Sequence, residues 1–143
     1  MLICIFGESC TGKTTLAQQL LTHINASVYS GRDYLRLAKN EAEARNKFLA
    51  LLKSAAEGGD SVIYITAEKA DLSFLPEGCV RILVTAPLDV IQERFAKRTG
   101  GKLPPPVAAM LARKHGSFDG EPHDLRVENG QADTDALLRL LQR

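Results

Sequence analysis

The stretch GESCTGKTT, Gly7 to Thr15, follows the apolar run LICIF and precedes LAQQLL, and it fixes how the chain must begin. An apolar run rich in bulky and β-branched residues that ends in glycine reads as a strand buried on both faces. From Thr14 the pattern TLAQQLLTHI puts Leu16, Leu20, Leu21 and Ile24 at helical spacing, before Asn25 ends it. The opening is therefore strand, glycine loop, helix.

The same alternation continues. ASVYS reads as a second strand. From about Asp33 to Ala56 an apolar set including Leu35, Phe48 and Leu52 lies among charged residues, as in one amphipathic helix or a broken helical pair, and the GGD turn closes it. SVIYIT is a third strand, and a polar loop through Pro76 leads to CVRILVT, a fourth. Pro87 takes a typical first helical position, with Leu88, Ile91 and Phe95 forming an apolar stripe as far as Arg98, where TGGK ends the helix. Pro104 to Pro106 impose extended backbone before another helix over roughly 107–115. DLRVENG is a short last strand and turn, and Thr134 or Asp133 caps the final helix. Strands alternating with helices predict βαβ units, hence an α/β fold: a doubly wound, three-layer α/β/α sandwich with a parallel sheet of about five strands. At this length, 1–143 is expected to be a single domain.

Composition narrows the partners. With 45% hydrophobic and 24% charged residues the chain has a globular balance. Lys and Arg total 18 against 17 Asp and Glu, and without a basic run neither nucleic acid nor a membrane surface is an expected partner. Three cysteines, Cys4, Cys10 and Cys79, have neither C-x-x-C spacing nor the even number of a disulfide framework, which points to a reducing cytoplasm. The N-terminal apolar run is too short for a signal or a membrane span, so no targeting is expected.

Gly7 to Thr14 satisfies G-x-x-x-x-G-K-[ST] at every fixed position and lies in the strand-loop-helix context that this Walker A motif, or P-loop, requires. A glycine-rich turn aims successive N–H groups inward as an anion nest, and the helix N-terminus adds partial positive charge. Gly7, Glu8, Ser9, Cys10, Thr11, Gly12, Lys13, Thr14 and Thr15 are thus expected to hold a nucleotide's phosphates. Lys13 reaches the β and γ phosphates, and the Thr14 hydroxyl is the expected Mg²⁺ ligand. For Cys10 two readings stand: a thiol activated by the helix N-terminus, or a loop position without a role.

With the second-strand segment and a helix ending in spaced arginines, this P-loop resembles the nucleoside monophosphate kinase-like family, which includes adenylate, cytidylate, guanylate and shikimate kinases. The resemblance spans almost the whole chain, with the P-loop as its strong motif, and implies the P-loop nucleoside triphosphate hydrolase fold. Ser30-Gly31-Arg32-Asp33-Tyr34-Leu35-Arg36 is similar to the family's S-x-G-D-x-x-R element, in which the arginine grips the acceptor's phosphate; here that is Arg36. Arg36 could equally be a surface residue of an amphipathic helix. Asp33 is either the residue that orients or deprotonates an acceptor hydroxyl, or helps hold Mg²⁺ through water, or a helix N-cap. PLDVIQERFAKR resembles the family's fourth-strand and lid junction, whose helix carries arginines toward the transferred phosphoryl group; Arg94 and Arg98, four apart on one helix face, either converge on such an anion or belong to a solvated face with Glu93 and Lys97. A short lid near 98–107 follows, with Lys102 and Arg113 as further anion-facing candidates.

The family's third-strand aspartate is missing: the chain has Ile65-Thr66-Ala67-Glu68, which leaves Glu68 as a replacement or a surface residue. Paired lid arginines and zinc-binding cysteines are also lacking, unlike longer adenylate kinases. The expected function is an ATP- and Mg²⁺-dependent phosphotransferase acting on a small-molecule acceptor, a nucleotide or similar metabolite, as a monomer or homodimer, with Lys13, Asp33, Arg94 and Arg98 catalytic and Asp33 and Arg36 binding the acceptor. The alternative is a nucleotide-binding or slowly hydrolysing regulatory protein without transferase activity.

Overall fold

The computed structural model describes residues 1–142. Its strands are β1 (Leu2–Phe6), β2 (Ser27–Ser30), β3 (Val62–Thr66), β4 (Val80–Thr85) and β5 (Leu125–Glu128). Its helices are α1 (Lys13–Leu21), α2 (Glu41–Ala56), α3 (Leu88–Arg98), α4 (Pro105–Lys114) and α5 (Thr134–Leu141). The five strands form one parallel sheet in the order β2-β3-β1-β4-β5. The expected three-layer α/β/α sandwich is what forms.

Both faces are covered because the side chains alternate. Ile3, Ile5, Ile63, Ile65, Ile82 and Val84 meet Leu16 and Leu20 of α1 and Leu137 and Leu140 of α5. Leu2, Cys4, Phe6, Val62, Tyr64 and Leu83 meet Phe48, Leu52 and Ala55 of α2 on the other face. Continuous apolar runs such as LICIF are the mark of strands with no solvent-facing side. β1 pairs with β3 on one side and β4 on the other. The connection after β1 runs to β2 on one side and the connection after its neighbour β4 runs to β5 on the other, and ligands of such sheets bind at the strands' carboxyl ends at that point of reversal.

Several boundaries differ from the sequence reading. α1 stops at Leu21, short of Asn25, because the Thr22 and His23 amides wind back onto Gln19 and Leu20 in a tighter last turn. The segment from Asp33 is the broken alternative: a 3₁₀ turn, Asp33–Leu37, precedes α2, and Asn40 caps α2 by accepting from the Glu43 amide at 3.1 Å. The loop after β3 contains a second 3₁₀ turn, Lys69–Phe74. Pro87 stands just outside α3, which opens at Leu88. α4 starts at Pro105, before the expected 107, because a helix's first turn has unpaired N–H groups that proline does not need. Asp133, and not Thr134, caps α5, accepting from the Ala136 amide at 3.2 Å.

Candidate active site at the carboxyl edge of the sheet

The loop between β1 and α1 closes on itself through a few polar contacts. Thr11 is fully buried and its hydroxyl donates to the Glu8 carbonyl at 2.9 Å. The Gly7 amide donates to Thr66 O at 3.3 Å, which ties the start of the loop to the end of β3. Lys13 opens α1, and its ammonium donates to the carbonyls of Gly7 (3.0 Å) and Glu8 (2.6 Å). A cavity of about 250 Å³ lies above, lined from the loop by Ser9, Cys10, Gly12, Lys13, Thr14 and Thr15. Its other walls are Ser30 and Gly31 after β2, Ile65, Thr66 and Ala67 at the end of β3, and Arg98 of α3.

Burial lowers the Lys13 pKa to about 8, against an ordinary 10.5; among nearby groups, Cys10 pulls it up, Arg98 pushes it down and Glu8 pulls it up. The charged form is thus disfavoured in the folded protein, and stability from this group rises with pH between about 8 and 10.5, where only the unfolded chain keeps the proton. Phosphate binding works in the opposite direction, since it needs the ammonium. Nucleotide affinity is therefore expected to fall once pH rises above about 8, with proton uptake on binding in that range. Calorimetric titration in buffers of different ionisation enthalpy measures this directly. A pH-independent affinity from 7 to 10 would remove Lys13 from the phosphate site, since its pKa of about 8 requires a change there.

α3 and α4 rest on the loop itself. Arg94 donates to the Cys10 carbonyl at 3.0 Å and reaches Asn129 Oδ1 at 3.5 Å, whereas Arg98 lines the cavity above the loop. The two arginines share a helix but do different things: Arg94 braces the loop from outside, and Arg98 adds positive charge inside. Cys10 is buried in a small apolar cluster with Ala86, Ile91 and Leu111 that joins the loop to α3 and α4, so it has a packing role that the reading of a loop position without a role did not include. Its backbone is left-handed at φ 64°, and the residue borders both this cluster and the cavity above the loop. Glu8 anchors the far end of α4, accepting from the Gly116 amide at 3.1 Å, with His115 Nδ1 at 3.2 Å. In the segment 98–107, the Thr99 hydroxyl bonds the carbonyl of Lys102 at 2.8 Å and Gly101 N donates to Ala96 O at 2.7 Å. Lys102 and Arg113 are exposed.

On the other side of β3 lies a second cavity of about 460 Å³, walled by Arg32, Tyr34, Arg45, Phe48, Tyr64, Glu68, Asp71 and Phe74. Gly31 lines both cavities. Asp33 and Arg36 stand in the adjoining 3₁₀ turn but line neither: the Asp33 carboxylate accepts from the Ser30 amide at 2.9 Å, and the Arg36 guanidinium lies 4.9 Å from the centre of the Tyr29 ring. Asp33 thus closes the turn after β2 and does not cap a helix through its side chain. Glu68 is exposed and lines the second cavity, while its amide donates to Thr66 Oγ1 at 3.0 Å. The carboxylate that meets the end of β3 is Asp71, whose Oδ2 accepts from Tyr64 OH (3.0 Å) and Thr66 Oγ1 (2.7 Å). The sequence contained a sign of it. Tyr64 and Thr66 fall two apart on one face of a buried strand, and buried hydroxyls require partners.

No family model and no curated protein sequence matches the chain. Solved structures do match it in shape. An uncharacterized protein from Eubacterium ventriosum superposes with TM-score 0.68 at 16% identity, over 100% of this chain and 99% of that one. A sugar kinase from a Janibacter species superposes with TM-score 0.61 at 18% identity, over 99% and 92%. Shikimate kinase from Bacteroides thetaiotaomicron gives TM-score 0.61 at 17% identity, over 100% and 95%. With the parallel 2-3-1-4-5 sheet and the loop after β1, these matches show that the chain has the fold of the P-loop small-molecule kinases.

Proposed function

We propose that the chain is an ATP- and Mg²⁺-dependent phosphotransferase that moves the γ-phosphoryl group to a small metabolite. The observation that carries this reading is the pair of adjoining cavities: one walled by the P-loop, Lys13 and Arg98, the other beyond Gly31 and the end of β3. Solved structures of the same fold described as a sugar kinase and a shikimate kinase support the reading.

The chain's own residues would act by placement and charge. Backbone amides of the loop bind the phosphates, Lys13 and Arg98 meet the negative charge that spreads over the transferred group, and Arg94 keeps the loop in shape. Thr14 lines the cavity above the P-loop, and its hydroxyl would be the chain's ligand to a Mg²⁺ ion bound with the phosphates. When bound, that ion neutralises charge on the phosphates. Closure over the site would come from α3, α4 and the turn between them, which are already fastened to the loop through Cys10 and Glu8. We place this activity in a reducing cytoplasm, in a monomer or homodimer, without nucleic acid or membrane partners.

Thermal unfolding with and without ATP and Mg²⁺, followed by ADP release with and without a metabolite panel, tests the reading. A kinase shows nucleotide protection of about 2.7 kcal/mol at a hundredfold excess over Kd and ADP release that an acceptor stimulates. Protection with no stimulated release by any acceptor favours the regulatory binder. Absence of protection overturns both.

A further inference from the structure

The second cavity has a chemical character that neither motif nor fold specifies. Two arginines and three carboxylates line it: Arg32 and Arg45 against Glu41, Glu68 and Asp71. Arg32 is already engaged by Glu41 at 2.9 Å, and the Arg45 guanidinium lies 5.1 Å from the centre of the Phe74 ring. Arg36, the expected phosphate clamp, lies on Tyr29 outside the lining. A phosphate- or carboxylate-bearing acceptor would face Glu68 and Asp71 with Arg45 alone to offset its charge, whereas anion sites are built from several converging donors. The other lining residues are Gly31, Leu49, Tyr34, Phe48, Tyr64 and Phe74, a mostly apolar wall in which Phe48 and Tyr64 are almost fully buried and which suits the C–H surface of a sugar ring better than a further anion.

Asp71 is the fixed polar group in this cavity. Two hydroxyls, from Tyr64 and Thr66, donate to the same oxygen, Oδ2, and hold the carboxylate in one orientation. Thr66 is buried and also lines the cavity above the P-loop, so Asp71 is hydrogen-bonded to a residue of that cavity's wall. Glu68, the carboxylate nearer in sequence, is exposed and has no such support.

We propose that Asp71 is the catalytic carboxylate that receives the acceptor's hydroxyl, in the place left open by the missing third-strand aspartate, and that the acceptor is a neutral or amine-bearing polyhydroxy compound. This deepens the phosphotransferase reading and rests on it. In the step, the acceptor oxygen forms a bond to the γ-phosphorus. The bond from that phosphorus to the β,γ-bridging oxygen breaks, and its electron pair leaves with ADP. The hydroxyl proton passes to Asp71 and from there to solvent.

The test presents the full chain, with ATP and Mg²⁺, to two pools. One holds neutral sugars, polyols and amino sugars; the other holds nucleoside monophosphates, sugar phosphates and sugar acids. ADP release stimulated by the first pool is the expected result. Stimulation by the second pool alone overturns the acceptor class while leaving the kinase reading intact, and silence from both also overturns the class. Nucleotide protection, measured alongside, reports separately on the kinase reading. Asp71→Asn should then lower kcat by about 100-fold with the KM for ATP unchanged, and should flatten the acid side of the pH profile, because the amide neither takes nor gives the proton. Tyr64→Phe, which removes one support but keeps the carboxylate, should retain that acid limb. If Asp71→Asn keeps the wild-type kcat and pH profile, or loses turnover only in step with thermal stability as Tyr64→Phe does, Asp71 is a brace for β3 and the assignment falls.

Discussion

Lys13→Ala is expected to lose phosphotransfer by on the order of 10³-fold, the scale seen when one preorganised charge-stabilising donor is removed. The folded protein should survive unharmed. Lys13 makes no salt bridge among the described residues; its ammonium is held only by the Gly7 and Glu8 carbonyls. Burial holds its pKa at about 8, so at pH 7 the charged side chain is held in a site that resists its charge. Alanine removes that cost and is a better helix former at the first residue of α1. Thermal stability without nucleotide is therefore expected to stay level or rise, while protection by ATP is lost. That opposition separates Lys13 from a structural residue, whose loss lowers stability and activity together. Full turnover by the variant, with normal metal dependence, would dismiss the role.

How much of this was legible in the sequence depends on the range over which each feature is specified. The P-loop could be read because its chemistry lies within a few consecutive residues and depends on backbone geometry. The parallel sheet was legible from runs such as LICIF and VIYIT, whose lack of polar alternation admits only burial on both faces. The second cavity was not. Its walls come from residues between Gly31 and Phe74, on β3, α2 and two 3₁₀ turns, and no local pattern states that Asp71 folds back onto Tyr64 and Thr66. Local resemblance drew attention instead to Asp33 and Arg36, which the short 3₁₀ turn directs to Ser30 N and the Tyr29 ring. The packing of Cys10 was hidden for a related reason. A thiol beside a helix N-terminus reads as reactive, and nothing local states that it also packs in the apolar cluster with Ile91 and Leu111.

The second large effect is expected far from the motif in sequence, at Gly130→Ala, with a loss of about 3 kcal/mol, or about 10 °C in midpoint. Gly130 belongs to the turn after β5, where Asn129 at φ 58° and Gly130 at φ 73° both have left-handed backbone. A Cβ on Gly130 would fall 2.2 Å from the Gly12 carbonyl oxygen, and a Cβ on Gly12 would fall 2.8 Å from the Asn129 oxygen. The two glycines are where the backbone of the P-loop and that of the last turn touch. The contact cannot be relieved by a side chain moving aside, because each obstacle is main chain. The Gly12 carbonyl also accepts the Leu16 amide at 3.1 Å in the first turn of α1, so displacing it disturbs the helix end that faces the phosphates. Nucleotide affinity should fall together with stability. Gly100→Ala supplies the control: its φ of 83° carries a similar backbone cost, but nothing lies within 4 Å of its Cβ, so a loss of about 1 kcal/mol is expected. If unfolding shows Gly130→Ala to be no worse than Gly100→Ala, the close approach does not govern the loop, and the shape of the phosphate nest must be set by residues 7–15 alone.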